Sequence, residues 1–136
     1  MKYATLAAIV VLGPLLASAQ LRVIVSPIKI AGEKAVVPLS IRNKFAEKVE
    51  SARAVAFLLD GNGNVVGQGT RWVIGGNENK PGLPSGATNS FNFVMASDKP
   101  FATTNLTAKI VFNRIVLEGG KLADVNKDVH VQNGDK

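Results

Sequence analysis

Residues 51–74 read SARAVAFLLDGNGNVVGQGTRWVI, and the two apolar runs on either side of Asp60-Gly61-Asn62-Gly63-Asn64 decide the fold. Asp-Gly and Asn-Gly supply the positive φ angles that a tight β-hairpin turn demands. A hairpin needs one strand entering it and one leaving. The entering strand starts at about residue 51. Its period of two puts Ala52, Ala54, Ala56 and Leu58 on one face and Arg53, Val55, Phe57 and Leu59 on the other. Val65–Ile74 is the return strand, where Gly67 and Gly69 mark a bulge or a close backbone approach. Upstream, residues 44–52 are open to strand, loop or helix. Ala46 to Ala54 are good helix formers, and Val49, Ala52, Ala56 and Leu59 would make a helical stripe. The hairpin turn favours the strand.

The same alternation extends outward in both directions. Residues 21–25 (LRVIV) form a first strand, interrupted at Ser26-Pro27 and resumed by Ile28 and Ile30. Residues 31–34 turn the chain. Val37, Leu39 and Ile41 then alternate with Pro38, Ser40 and Arg42 in a half-buried strand. Proline cannot donate to a ladder, so Pro38 predicts an edge strand or a bulge. Beyond the hairpin, residues 75–89 (GGNENKPGLPSGATN) are a long loop. Phe91, Phe93 and Met95 point inward from the next strand, and residues 97–100 turn. Leu106, Ala108, Ile110 and Phe112 begin the longest strand, which runs on to Leu117. Residues 118–121 turn again, and residues 128–131 form a weak last strand. Six to eight short strands separated by turns every 8–15 residues predict an all-β, antiparallel immunoglobulin-like β-sandwich. It occupies residues 20–131, followed by a flexible polar tail at 132–136.

Residues 54–66 (AVAFLLDGNGNVV) carry a resemblance. A strand ending in Leu-Asp, a Gly/Asn turn and then Val-Val resembles the bacterial FxLYD-type immunoglobulin-like domains. In that family a Pro-Gly-like loop precedes a Phe-rich strand, and here Pro84-Ser85-Gly86 precedes Phe91 and Phe93. The likeness covers roughly residues 35–117. Ala56 stands where the family has Phe, and Leu59 where it has Tyr. The resemblance implies a small exported or membrane-attached module without known catalysis. It carries over no functional residues.

Residues 1–19 bear the marks of a secretory signal. Lys2 is the positive start, Ala4 to Leu16 an apolar stretch, and Ala17-Ser18-Ala19 a small-x-small cleavage site with Gln20 first in the mature chain. The apolar stretch is shorter than the roughly 20 residues that span a bilayer. No cysteine follows the cleavage site, so no lipid attaches there. Cleavage leaves 117 of the 136 residues, enough for one domain with its own core. The chain has no cysteine. That rules out disulfides, thiol catalysis and cysteine-ligated metals, and an exported chain without disulfides fits a bacterial envelope. The expected location is secreted or periplasmic, with no transmembrane segment in the mature chain.

Sixteen basic against ten acidic side chains give a net charge of +6, without runs of like charge. This charge suits solubility, with a weak attraction to anionic surfaces such as cell wall, lipid headgroups or polysaccharide. Nucleic acid is not an expected partner, because no basic stripe with interleaved aromatics occurs.

Few residue types here carry chemistry. Asp60-Gly61-Asn62-Gly63-Asn64 starts like a calcium loop, but Val65 stands where glycine is needed and Arg71 where a bidentate glutamate should close the shell. The stretch is better read as a turn. His130 is the only histidine. It makes a poor metal site and a poor basis for a triad, and it reads as a surface or edge-strand residue. Glu47, Glu50, Glu78, Glu118 and Asp124 sit in turns and loops without a motif, and the aromatic-rich cleft of a glycosidase is missing. Asn105-Leu106-Thr107 matches the N-glycosylation acceptor, a coincidence in a bacterial strand. No catalytic residue, metal ligand or cofactor is expected, and the protein is not expected to be an enzyme.

Trp72 is expected to pack between the sheets, as tryptophans do in such sandwiches, with partner anchoring as the alternative. Arg71, Trp72, Asn77 and Lys80, beside or within the long loop, are the candidate contact residues. The function these features imply is an exported, non-catalytic binding or accessory module of the bacterial envelope. Its partner would be another envelope protein or a second copy. The alternative is a self-assembling structural subunit that pairs edge strands, an option that Pro27 and Pro38 disfavour.

Overall fold

The computed structural model describes residues 20–77, 79–101 and 105–134. The expected signal at 1–19 lies outside them. Eight strands follow in order: β1 (Leu21–Val25), β2 (Lys29–Ala31), β3 (Lys34–Asn43), β4 (Val49–Leu59), β5 (Val65–Ile74), β6 (Thr88–Ala96), β7 (Thr107–Leu117) and β8 (Val129–Asn133). They form two sheets. In the larger, β3 pairs with β6 on one side and with β1 and β2, laid end to end, on the other; β8 lies beyond β1. In the smaller, β4 lies between β5 and β7. The architecture is therefore an all-β, two-sheet sandwich.

Alternation in the sequence becomes burial in the fold. Leu21, Val23 and Val25 of β1, Val37, Leu39 and Ile41 of β3, and Phe93 and Met95 of β6 face inward from the larger sheet. Ala52, Ala54, Ala56 and Leu58 of β4 answer them from the smaller sheet and are wholly buried. Small side chains down the middle of one sheet and large ones on the other let the layers interdigitate at the spacing of roughly 10 Å usual for packed sheets.

The sheets depart from simple alternation at bulges. Leu58 pairs with Gly67 but Leu59 with Val65, which leaves Val66 unpaired beside a glycine. Arg53 pairs with Trp72 but Ala52 with Ile74, which leaves Val73 unpaired. On the other side of β4, Arg53 pairs with Arg114 and Ala54 with Phe112, so Asn113 is the extra residue. This last bulge moves the inward positions of β7 from Ile110 and Phe112 to Ile115 and Leu117. The bulges at Val73 and Asn113 restore buried faces, at Ile74 and at Ile115 and Leu117, that strict alternation would have turned outward.

Several expectations are corrected. The sandwich is not wholly antiparallel, because β8 runs parallel to β1, with Leu21 beside Val129 and Val25 beside Asn133. The last strand thereby takes in Gln132 and Asn133, two residues assigned above to the tail. Residues 44–48 form no helix, and the strand begins at Val49.

Pro38 lies in the interior strand of the larger sheet, not at an edge. Three residues, Ser26, Pro27 and Ile28, separate the pair Val25–Leu39 from the pair Lys29–Val36, against only two on β3. The Pro38 carbonyl accepts the Ser26 N–H at 2.9 Å. In an extended strand the nitrogen of a residue faces the same side as its carbonyl, so the missing N–H falls in this irregular gap and no bond to β6 is lost.

Candidate binding face

The β4–β5 hairpin delivers Trp72 to the outside of the sandwich. Asp60 fixes the turn: its Oδ1 accepts the backbone N–H groups of Asn62 and Asn64, each at 2.9 Å, and its carbonyl accepts that of Gly63 at 3.0 Å. These bonds favour the ionised carboxylate. The first cause is the bond from Asn64, and together they hold the Asp60 carboxyl below the ordinary carboxylate range. The bulge at Val66 then sets the register that brings Trp72 opposite Arg53. Arg53 alternates with the buried Ala52 and Ala54, so it and Trp72 share the outer face of the smaller sheet.

The expectation of a core tryptophan is thus overturned. Trp72 is half-buried on the outer face, while the unpaired Val73 and its neighbour Ile74 supply the buried end of β5. The Arg53 guanidinium carbon lies 5.3 Å from the centre of the indole ring. The Nε of Arg53 donates to Asn113 Oδ1 at 3.0 Å.

The loop after β5 folds back on the tryptophan. Gly76, at φ +93°, leaves no room for a side chain: a Cβ there would stand 2.4 Å from Trp72 Cγ. Asn77 turns the loop, accepting the N–H of Asn79 on its Oδ1 at 2.9 Å and that of Lys80 on its carbonyl at 3.1 Å. Lys80 Nζ then donates to the Trp72 carbonyl at 2.6 Å and lies 4.8 Å from the centre of the Phe91 ring. Of the four candidate contact residues, Trp72, Asn77 and Lys80 come together in one loop-and-strand assembly. Arg71 does not join them. It pairs with the inward-facing Ala54 and so projects from the opposite face of β5, where its Nη1 donates to the Thr70 carbonyl at 2.8 Å.

The outer face of the smaller sheet carries a lattice of four rows of residues. Cross-strand pairing sets Trp72, Arg53 and Arg114 in one row, Thr70, Val55 and Val111 in the next, Gln68, Phe57 and Lys109 in the third, and Val65, Leu59 and Thr107 in the fourth. Arg53, Val55 and Phe57 are half-buried; Gln68, Thr70, Lys109, Val111 and Arg114 are exposed. Arg53, Arg114, Asn113 and Lys109 were not singled out from the sequence. The signal that could have found Arg53 is its place in the hairpin, but a turn without the Val66 bulge would set it against Arg71 instead of Trp72.

Two grooves run along the open sides of the sandwich. One, of about 460 Å³, lies under the loop between β5 and β6 and is lined by Ile74, Lys80, Leu83, Asn89 and Phe91, among others. The other, also about 460 Å³, is lined by Ile28, Ile30, Leu106, Ala108 and Gly134, among others.

The carboxylates read from the sequence are scattered. Glu47 is ion-paired with Lys121, Glu50 accepts the Gly119 N–H at 3.4 Å, and Asp124 Oδ1 accepts the N–H groups of Asn126 and Lys127. Glu78 lies outside the described residues. His130 is exposed on β8, opposite Arg22. Among the described residues, no group of three or more His, Cys, Asp and Glu side chains is placed to hold a metal ion. No helix among them is long and apolar enough to cross a membrane.

No family model and no curated sequence matches the chain. A solved structure shares its fold. A structural-genomics target designated SoR45 superposes with a TM-score of 0.52 at 15% identity, over 76% of this chain and 79% of that one. At that identity the likeness is one of fold. A glycoside hydrolase family 2 β-glucuronidase superposes with a TM-score of 0.42 at 18% identity, over 74% of this chain but only 11% of the enzyme.

Proposed function

We propose that the protein is an exported, non-catalytic binding module of the bacterial envelope, and that the outer face of its smaller sheet is the contact surface. The observation that carries this is a tryptophan held on the outside of the sandwich, stacked with Arg53 and backed by Gly76. Aromatic and arginine side chains fixed on a rigid sheet are the usual anchors of recognition sites. The secretory character of residues 1–19 supports the location. The immunoglobulin-like assignment of the sandwich, within the FxLYD-type modules, belongs to the same proposal and is supported by residues 54–66 and by the two-sheet fold.

The test is fractionation of the native host. The chain recovered from the envelope fraction should begin at Gln20 and co-sediment with envelope fragments. Trp72→Ala should remain folded, with a urea midpoint lowered only modestly, and lose the co-sedimentation. Self-assembly is the competing reading, supported by the place of β5 and β7 as the terminal strands of the smaller sheet, although residues 121–123 pair with the end of β7. Sedimentation of the purified chain as an oligomer that survives dilution would replace the binding module with it.

A further inference from the structure

The outer face of the smaller sheet is electrostatically one-sided. Arg53 and Arg114 are direct cross-strand partners, and Lys109 lies two rows away on β7. Like charges placed opposite each other destabilise a sheet. No counter-charge offsets this: among the described residues no carboxylate comes within ion-pairing distance of Arg53, Arg114 or Lys109. The only carboxylate on β4, β5 or β7 is Glu50, engaged with the Gly119 N–H beyond the end of the Trp72 row. Arg53 is oriented as well as charged. Its Nε is taken by Asn113 and its guanidinium carbon lies 5.3 Å from the indole centre, which leaves the two terminal nitrogens for a partner from outside. That fork matches a carboxylate in two parallel hydrogen bonds.

The size of the face selects among anions. Twelve residues in four rows, at the ordinary strand and residue spacings of a sheet, cover about 400 Å². A stable protein interface takes about 800 Å² from each partner, so the lattice is too small for one. Neither groove is lined by Trp72, Arg53 or Arg114, and the side chains of these rows stand side by side on one sheet face as a platform. A flat platform with an aromatic ring, paired guanidinium groups, and Asn113, Gln68 and Thr70 as hydrogen-bonding neighbours suits an extended chain of polar rings.

Resting on the binding-module reading, we propose that this face binds an anionic polysaccharide. A sugar ring lies against Trp72, and the carboxylates of neighbouring sugars meet Arg53 and Arg114, with Lys109 further along the chain. Export argues for this ligand over single-stranded nucleic acid, which also stacks on aromatics and neutralises cations.

The probe is polygalacturonate, compared with the same polymer after methyl esterification, which removes the charge and keeps the sugar. Affinity electrophoresis and calorimetry on the mature chain should show binding to the first, weakening with salt, and at least tenfold weaker binding to the second. Arg53→Gln with Arg114→Gln should lower affinity at least tenfold and, with the like-charge pair gone, should not lower the urea midpoint. Trp72→Ala should lower it about tenfold, and Trp72→Phe should restore part of it. Lys29→Gln with Lys34→Gln, off this face, should change it less than twofold. Equal binding of the two polymers, no binding of either, an unaffected arginine pair, or tighter binding of an oligothymidylate would overturn the proposal. If envelope co-sedimentation still depends on Trp72 while polygalacturonate fails, only the ligand assignment falls. If co-sedimentation fails too, the binding module falls with it.

Discussion

The carboxamide of Asn43 reaches the backbone carbonyl of Leu83 at 2.8 Å and so ties the end of β3 to the loop between β5 and β6. The same Nδ2 donates to the Glu47 carbonyl at 2.9 Å, and Oδ1 accepts the Phe45 N–H at 2.8 Å. Asn43 is the one fully buried polar side chain among the described residues. Two of its bonds satisfy the Phe45 N–H and the Glu47 carbonyl, and the third gives the Leu83 carbonyl a second donor. Leu83 also exchanges two backbone hydrogen bonds with Val49, so the asparagine fastens the loop where it meets β4.

Asn43→Ala should therefore lower stability by about 3 kcal/mol, since stranding each buried group costs roughly 1–3 kcal/mol. Asn43→Asp keeps the acceptor but turns a carboxylate toward two carbonyls, and should be no better at neutral pH. Urea denaturation followed by tryptophan fluorescence measures both. A loss below 1 kcal/mol for the alanine variant would show that water replaces the carboxamide.

Gly75 should tolerate no side chain. It sits at φ +57°, and a Cβ there would stand 2.0 Å from the Glu50 carbonyl oxygen, a backbone atom that cannot step aside. Gly75→Ala is expected to cost about 3 kcal/mol or more through clash and left-handed strain together. By contrast, Gly63→Ala, at φ +83° in the open hairpin turn with nothing within 4 Å, should lose only the conformational part. Equal urea midpoints for the two variants would refute the difference.

Trp72 and Phe93 separate the face from the core. Phe93 is buried at 1% exposure and packs edge-on to Phe91 with ring centres 5.3 Å apart. Phe93→Ala should cost about 3–5 kcal/mol. Trp72→Ala, on the outer face, should cost markedly less, about 1–2 kcal/mol from partial burial and the lost cation–π contact. Thermal melts of the two variants measure the contrast, and Tm losses of equal size would return Trp72 to the core.

Asp60 gives the hairpin a pH dependence of known sign. Its carboxyl is held below the ordinary range by turn N–H groups. The contribution is therefore complete above the ordinary carboxylate pKa and is lost as pH falls through the depressed value. The gap in Tm between the natural chain and Asp60→Ala should be widest at neutral pH and narrow in acid. A gap that stays constant across that range would show that the ionised form is not the one stabilised.

Where local chemistry suffices, the elements were legible beforehand. Val37, Leu39 and Ile41, and Phe93 and Met95, face inward because a strand has a period of two and water excludes one side. Asp60 to Asn64 turn the chain because Asp and Gly accept the backbone geometry there. Pro38 was legible as a disturbance but not as to place, since whether its missing N–H matters depends on a strand that is distant in sequence. Of the candidate contact residues, Trp72, Asn77 and Lys80 were gathered by the loop that joins them, whereas Arg71 was lost to the pleat.

The sequence by itself determined that this chain is all-β, where its strands and hairpin turn lie, and which side chains avoid water. These are local properties, set by turn chemistry and alternation. Tertiary structure alone decided the parallel seating of β8 beside β1 and the bulges at Val66, Val73 and Asn113. A bulge moves one residue across the sheet, and its position is chosen by the pairing that best fills the core from both layers at once. That choice turned Trp72 outward, set it beside Arg53 and lined Arg53 up with Arg114, a face that no single strand contains.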